Sequence, residues 1–88
     1  MIMYERAPRL EFRNVGDETL VHDMAQEKIH VLNRTAGDLL ENCDRKTTIE
    51  LAEFIRSRYD AAGTDVEADV REILDLFVEK GLVQRIPA

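Results

Sequence analysis

The sequence holds one cysteine, Cys43, so no disulfide can form within the chain. A small domain without such a staple suits a reducing compartment. No apolar run approaches the roughly 20 residues that a membrane-spanning helix needs. The segment from Met1 to Arg9 lacks the apolar stretch of a secretory signal. The expectation is a soluble, cytoplasmic protein with no membrane partner. Positive charge is also short: 12 Lys and Arg stand against 18 Asp and Glu, a net charge of −6. Affinity for nucleic acid comes largely from basic side chains that neutralise phosphates, so this balance argues against DNA or RNA.

Catalytic and metal-binding equipment is equally sparse. Neither Cys-x-x-Cys nor His-x-x-x-His occurs, which removes the usual zinc spacings. The glycines Gly16, Gly37, Gly63 and Gly81 are isolated, so no loop can cradle a phosphate. No Ser-His-Asp set has supporting motif context. Cys43 shares the apolar stripe of a helix with Leu39 and Leu40 and reads as a small hydrophobe. His22 and His30 fall on neighbouring strands, out of register with each other, and read as surface or edge residues. The expectation is a protein that is not an enzyme, with no catalytic residue, no metal and no cofactor. At 88 residues the chain is one domain, spanning 1–88. A domain this small has little room for a deep cavity of roughly 300 Å³ beside its core.

What is present is pattern. Leu10-Glu11-Phe12-Arg13 alternates with period two, the mark of a half-buried strand. Val15-Gly16-Asp17-Glu18 is a turn signal, and Thr19 to Asp23 is rich in strand formers. Lys28 to Leu32 completes an antiparallel meander, with Leu10, Phe12, Ile29 and Val31 expected to face one core. From Thr35 the period becomes helical through Ala36, Leu39, Leu40 and Cys43, with Asn33 or Thr35 as cap. Thr47 and Glu50 form a capping box for a second helix that carries Leu51, Ala52, Ile55 and Tyr59. Asp60 to Gly63 reads as a loop, and Thr64 with Glu67 as a second capping box. A third helix runs from about Asp65 to Lys80, stopped by Gly81. Leu82 to Ile86 either adds a short strand or packs.

The third helix is apolar over half its circumference, wider than one-sided burial requires. Val66, Val70, Ile73 and Phe77 form its central stripe, with Leu76 on one flank and Leu74 and Val78 on the other. One reading places it centrally, between the sheet and the other helices. The other leaves the flank of Ile73 and Leu76, beside Asp69 and Lys80, open as the wall of a groove.

Hairpin-linked strands, then Leu32-Asn33-Arg34-Thr35-Ala36, Cys43-Asp44, Thr48-Ile49 with Leu51-Ala52, Asp69-Val70 and Gly81-Leu82-Val83 follow in an order that resembles the PqqD-like family. Pro8-Arg9-Leu10 fits as well, so the resemblance runs from Pro8 to Val83. It departs at Arg45, where the family often has Gly, and in lacking an aromatic residue in the first helix. The Leu-Asn-x-Thr-Ala form is that of the broad family more than of the members serving pyrroloquinoline quinone synthesis.

The resemblance implies an α+β fold: an N-terminal three-stranded antiparallel sheet followed by a three-helix bundle like a winged helix-turn-helix. It implies a recognition element that binds the leader of a ribosomally made precursor peptide and presents it to a modifying enzyme, of the radical S-adenosylmethionine type. The leader would add as a strand at Lys28, Ile29, His30, Val31 and Leu32 and lie against Asp69, Ile73, Leu76 and Lys80. Strand addition uses the unpaired N–H and C=O groups of a sheet edge, and the same edge could pair two copies, so a monomer or weak dimer is expected. Two alternatives stand beside this one. A winged-helix transcription regulator would need positive charge on its third helix, where Asp65 to Lys80 holds six acids and two bases. A non-catalytic structural subunit is the other.

Overall fold

In the computed structural model, which describes residues 1–59 and 65–87, the switch from period two to helical period falls at Asn33. Before it lie strands β1 (Ile2–Arg6), β2 (Leu10–Val15), β3 (Glu18–Asp23) and β4 (Lys28–Asn33). After it come α1 (Arg34–Asn42), the short β5 (Lys46–Thr47), α2 (Thr48–Arg58), α3 (Val66–Glu79) and β6 (Val83–Pro87). The architecture is α+β, with the meander and three helices in the expected order.

The meander β2-β3-β4 is antiparallel throughout. Gly16, at φ 61°, takes the first central position of the two-residue turn between Val15 and Glu18, where a type II′ turn demands positive φ. The second turn is held by Asp23, which is fully buried. Its carboxylate accepts the backbone N–H of Gln26 at 3.1 Å and the Gln26 side-chain amide at 2.8 Å. Asx-type turns of this kind bend the chain without Gly or Pro.

That turn sets the register, and the register corrects one expectation. Phe12 pairs with Val21 and Val21 with His30, so Leu10, Phe12, Val21, His30 and Leu32 share the inner face. Ile29 and Val31 stand on the outer face, 67% and 57% exposed, and do not share a core with Leu10 and Phe12. A shift of one residue reverses every side chain, and the four-residue turn fixes the parity.

A second sheet has the order β5-β1-β6. β1 pairs with β6 from Ile2–Pro87 to Arg6–Val83 and with β5 at Met3–Thr47 and Tyr4–Lys46. Helix, short strand, two helices and strand is the winged helix-turn-helix order, here with β1 inserted between β5 and β6. Tyr4 is buried in the core. Arg6 ties β1 to its surroundings: its N–H donates to Asp44, its guanidinium donates to the Glu41 carbonyl at 2.7 Å and lies 5.3 Å from the Phe12 ring centre. Such a cation–ring contact contributes on the order of 0.5–1 kcal/mol at a half-exposed site.

Local chemistry fixes the helix ends. Asn33 caps α1 by accepting the Ala36 N–H at 2.8 Å. Thr47 and Glu50 close the expected capping box reciprocally. α3 is capped by Asp65, which accepts from Ala68 N–H at 3.1 Å; Thr64 and the 60–63 loop lie outside the described residues. At its far end Leu82 N–H reaches the Phe77 carbonyl and Gly81 N–H the Val78 carbonyl, the paired bonds of a Schellman stop, with Gly81 at φ 75°. The core gathers Val21 from the meander, Leu39, Leu40 and Cys43 from α1, Leu51 and Ile55 from α2, Leu74 and Phe77 from α3, and Leu82. Leu74 is thus fully buried, whereas Leu76, two residues on, is 47% exposed.

Candidate functional site

An edge strand presents alternate N–H and C=O groups with nothing to pair. Among the described residues no strand pairs with the outer edge of β4. At six residues β4 runs for about 20 Å. The opposite edge of the sheet, β2, carries Glu11 and Arg13, and its Phe12 ring lies under the Arg6 guanidinium.

Beside β4 an open cleft separates it from α3, which packs chiefly on α2 and β6. The cleft consists of two hollows that meet at Leu76. The larger, about 500 Å³, is walled by Ile73 and Leu76 of α3, with Leu39, Ile55 and Tyr59 from α1 and α2. The smaller, about 430 Å³, lies between Lys28 and His30 of β4 and Leu76 and Lys80 of α3. Both are troughs open to solvent, which is how a domain of 88 residues combines them with a core. Asp69 and Glu72 stand at the far end of the larger hollow.

The structure places the sequence-derived candidates in two positions. Lys28, His30 and Leu32 belong to the sheet face turned towards the helices, and Lys28 and His30 line the cleft. Ile29 and Val31 point to the other side, so what they offer the edge is main chain. Asp69, Ile73, Leu76 and Lys80 lie along one flank of α3, and all four line the cleft. Of the two readings of that helix, the structure has the open flank. His30 is half-buried, and its Nε2 is buried with no hydrogen-bond partner among the described residues.

The remaining wall was not identifiable from sequence as part of a site. Tyr59 closes the larger hollow, held by its hydroxyl donating to Asp38. Asp38 also meets Arg58 Nε at 3.3 Å. The bond to Asp38 pushes the Tyr59 phenol above its ordinary range and keeps it protonated. Asn33 and Thr35, at the strand-to-helix junction, complete that end. Only the period break at Asn33 hinted that chain would turn there.

Cys43 is fully buried, donates its thiol to the Leu40 carbonyl at 3.2 Å and does not line the cleft. Burial pushes the thiol up to about 11, which leaves it unreactive at neutral pH. His22 and His30 stand on opposite faces of the meander. Among the described residues no group of three or more His, Cys, Asp or Glu is placed to hold a metal ion, and no helix is long and apolar enough to cross a membrane.

The family described as coenzyme PQQ synthesis protein D (PqqD) matches residues 18–83, from β3 to the first residue of β6. Two solved structures share the fold. TbiB1 in complex with the TbiA(beta) leader peptide superposes with a TM-score of 0.74 at 17% identity, over 91% of this chain and 94% of that one. Lasso peptide synthetase B1 complexed with the leader peptide gives 0.71 at 21% identity, over 92% and 96%. No curated protein matches significantly.

Proposed function

This chain belongs to the PqqD family, and from that premise we propose that it binds the leader segment of a ribosomally made precursor peptide and presents it to a separate modifying enzyme. One observation carries the reading: among the described residues nothing pairs with the β4 edge, which runs along the open side of an apolar cleft. The leader enters as a fourth strand of the meander. Its main chain bonds to the outer groups of β4, each bond contributing about 1 kcal/mol net. Its alternate side chains drop into the cleft, where covering the exposed half of Leu76 adds about 1 kcal/mol. The two similar solved structures named above were determined with a leader peptide bound, which supports the reading.

The chain itself does no chemistry in this scheme. It orders a flexible leader and leaves the segment to be modified free for the enzyme, for which the family resemblance suggests a radical S-adenosylmethionine type. No observation favours the DNA-reading alternative, because the open flank of α3 bears Asp69 and Glu72 where phosphates would lie.

The test is a pair of proline substitutions, His30→Pro and Val31→Pro, each removing one β4 N–H. The N–H groups of neighbouring residues point to opposite sides of a strand, so one of the two faces outward. That variant loses binding of the fluorescently labelled leader at least tenfold in anisotropy titrations, with its helical circular dichroism retained. Normal binding by both variants removes the β4 edge from the site.

A further inference from the structure

The two ends of the cleft carry opposite charge. At the end where β4 begins and α3 finishes, the lining includes Lys28 and Lys80 against a single acid, Glu79. At the other end it includes Asp69 and Glu72 and no basic residue. None of these five side chains has an ion-pair partner among the described residues. Of the nearby cations, Arg71 is paired with Glu67 at 3.2 Å and Arg58 with Asp38, while Arg34, between the lining residues Asn33 and Thr35, is exposed and does not line the cleft. Between the two ends the wall is apolar, formed by Ile73 and Leu76.

The walls match in length. From Lys28 to Asn33 a strand advances about 17 Å. From Asp69 to Lys80 a helix rises about 16 Å. Glu72, one residue before Ile73, stands about 12 Å along the helix from Lys80, so the charged ends are separated by about one and a half to two Debye lengths of physiological salt, roughly 8 Å each, and each acts chiefly on what lies beside it. An extended chain covers that distance in about five residues.

We propose, resting on the strand-addition reading above, that the groove selects peptides by the order of their charges. A basic side chain sits at the Asp69–Glu72 end, apolar side chains lie over Ile73 and Leu76, and an acidic side chain sits at the Lys28–Lys80 end. Every pairing in the meander is antiparallel, and parallel pairing is the weaker kind. An added strand that continues the pattern begins beside Asn33 and ends beside Lys28. The sequence it takes thus reads basic, apolar, acidic from its N-terminal side, the two charges four to six residues apart. Charge complementarity of this kind sets register and rejects wrong partners more than it adds affinity.

The experiment is selection of a random twelve-residue peptide library on the immobilised full chain, with peptides that also bind the inactive proline variant discarded. In parallel, a fourfold variant, Lys28→Glu, Lys80→Glu, Asp69→Lys and Glu72→Lys, selects from the same library. The expected result is enrichment of basic–apolar–acidic peptides on the wild type and of the opposite order on the variant. One selected peptide with a charge neutralised at one end then binds about 2- to 5-fold more weakly at low salt. That difference vanishes at 1 M salt, where the Debye length is about 3 Å. Enriched peptides that need the β4 edge but show no charge order, or the reverse order, overturn this proposal and leave strand addition standing. Failure to enrich any peptide dependent on β4 overturns both.

Discussion

The two sheets of this small domain are built by opposite means. The meander β2-β3-β4 is local: each strand pairs with its neighbour in sequence across a short turn. The sheet β5-β1-β6 joins residues more than eighty positions apart, since Ile2 pairs with Pro87. The first leaves Ile29 and Val31 of its outer face in solvent; the second buries Tyr4 in the core and is tied down by the hydrogen bonds of Arg6. In the strand-addition proposal this division has a use: the local sheet offers its edge while the long-range sheet ties the two ends of the chain together.

The sharpest way to break that contrast is to cut the anchor. Tyr4→Ala removes a buried aromatic side chain from the central strand of the long-range sheet, and the expected loss is about 3–5 kcal/mol in urea denaturation. Ile29→Ser, on the exposed face of the open sheet, should change stability by no more than about 0.5 kcal/mol. Equal losses would mean that the two sheets share the load. Next in size is Gly37→Ala. A Cβ at Gly37 would press into the Thr19 side chain, where α1 lies directly on β3. Overpacking there should cost about 1–3 kcal/mol and loosen the meander from the helices, read as faster amide exchange in β3.

A smaller effect of opposite sign is expected at the entrance to β5. Arg45 sits at φ 60°, and its N–H donates to the Tyr4 carbonyl at 2.7 Å. A left-handed conformation strains any residue with a Cβ, so Arg45→Gly should stabilise the chain by about 0.5–1 kcal/mol, seen as a higher urea midpoint. This is the position where the family often has Gly, and the backbone explains why.

The smallest effect concerns pH. The Thr47 N–H and hydroxyl hold the exposed Glu50 carboxylate below its ordinary range. The depressed value means that Glu50 supports the fold fully above the ordinary carboxylate range, and that this support fades as pH falls through the lowered value. Glu50→Gln should therefore lessen the acid-side decline of the thermal midpoint while leaving the alkaline side unchanged.

The same division explains what could be read from the sequence. The meander, the Thr47–Glu50 box and the Gly81 stop were legible because each is written within a few neighbouring residues. The facing of Ile29 and Val31 was misread because an Asp23–Gln26 turn without Gly or Pro concealed the register. β1 was invisible because Ile-Met-Tyr-Glu-Arg does not alternate, and its partners lie at the far end of the chain and in a two-residue strand. In the candidate site, the β4 edge and the flank of α3 could be anticipated. Leu39, Ile55 and Tyr59 could not, because three helices must first assemble before those side chains converge.

The pairing of Ile2 with Pro87 has an architectural corollary. Opposed residues of adjacent antiparallel strands have Cα atoms only about 5 Å apart. The chain thus enters and leaves the fold at nearly one point, and a larger host could carry residues 2–87 as an insertion within a single surface loop. The outer edge of β4 belongs to the other sheet, so the splice would leave it untouched.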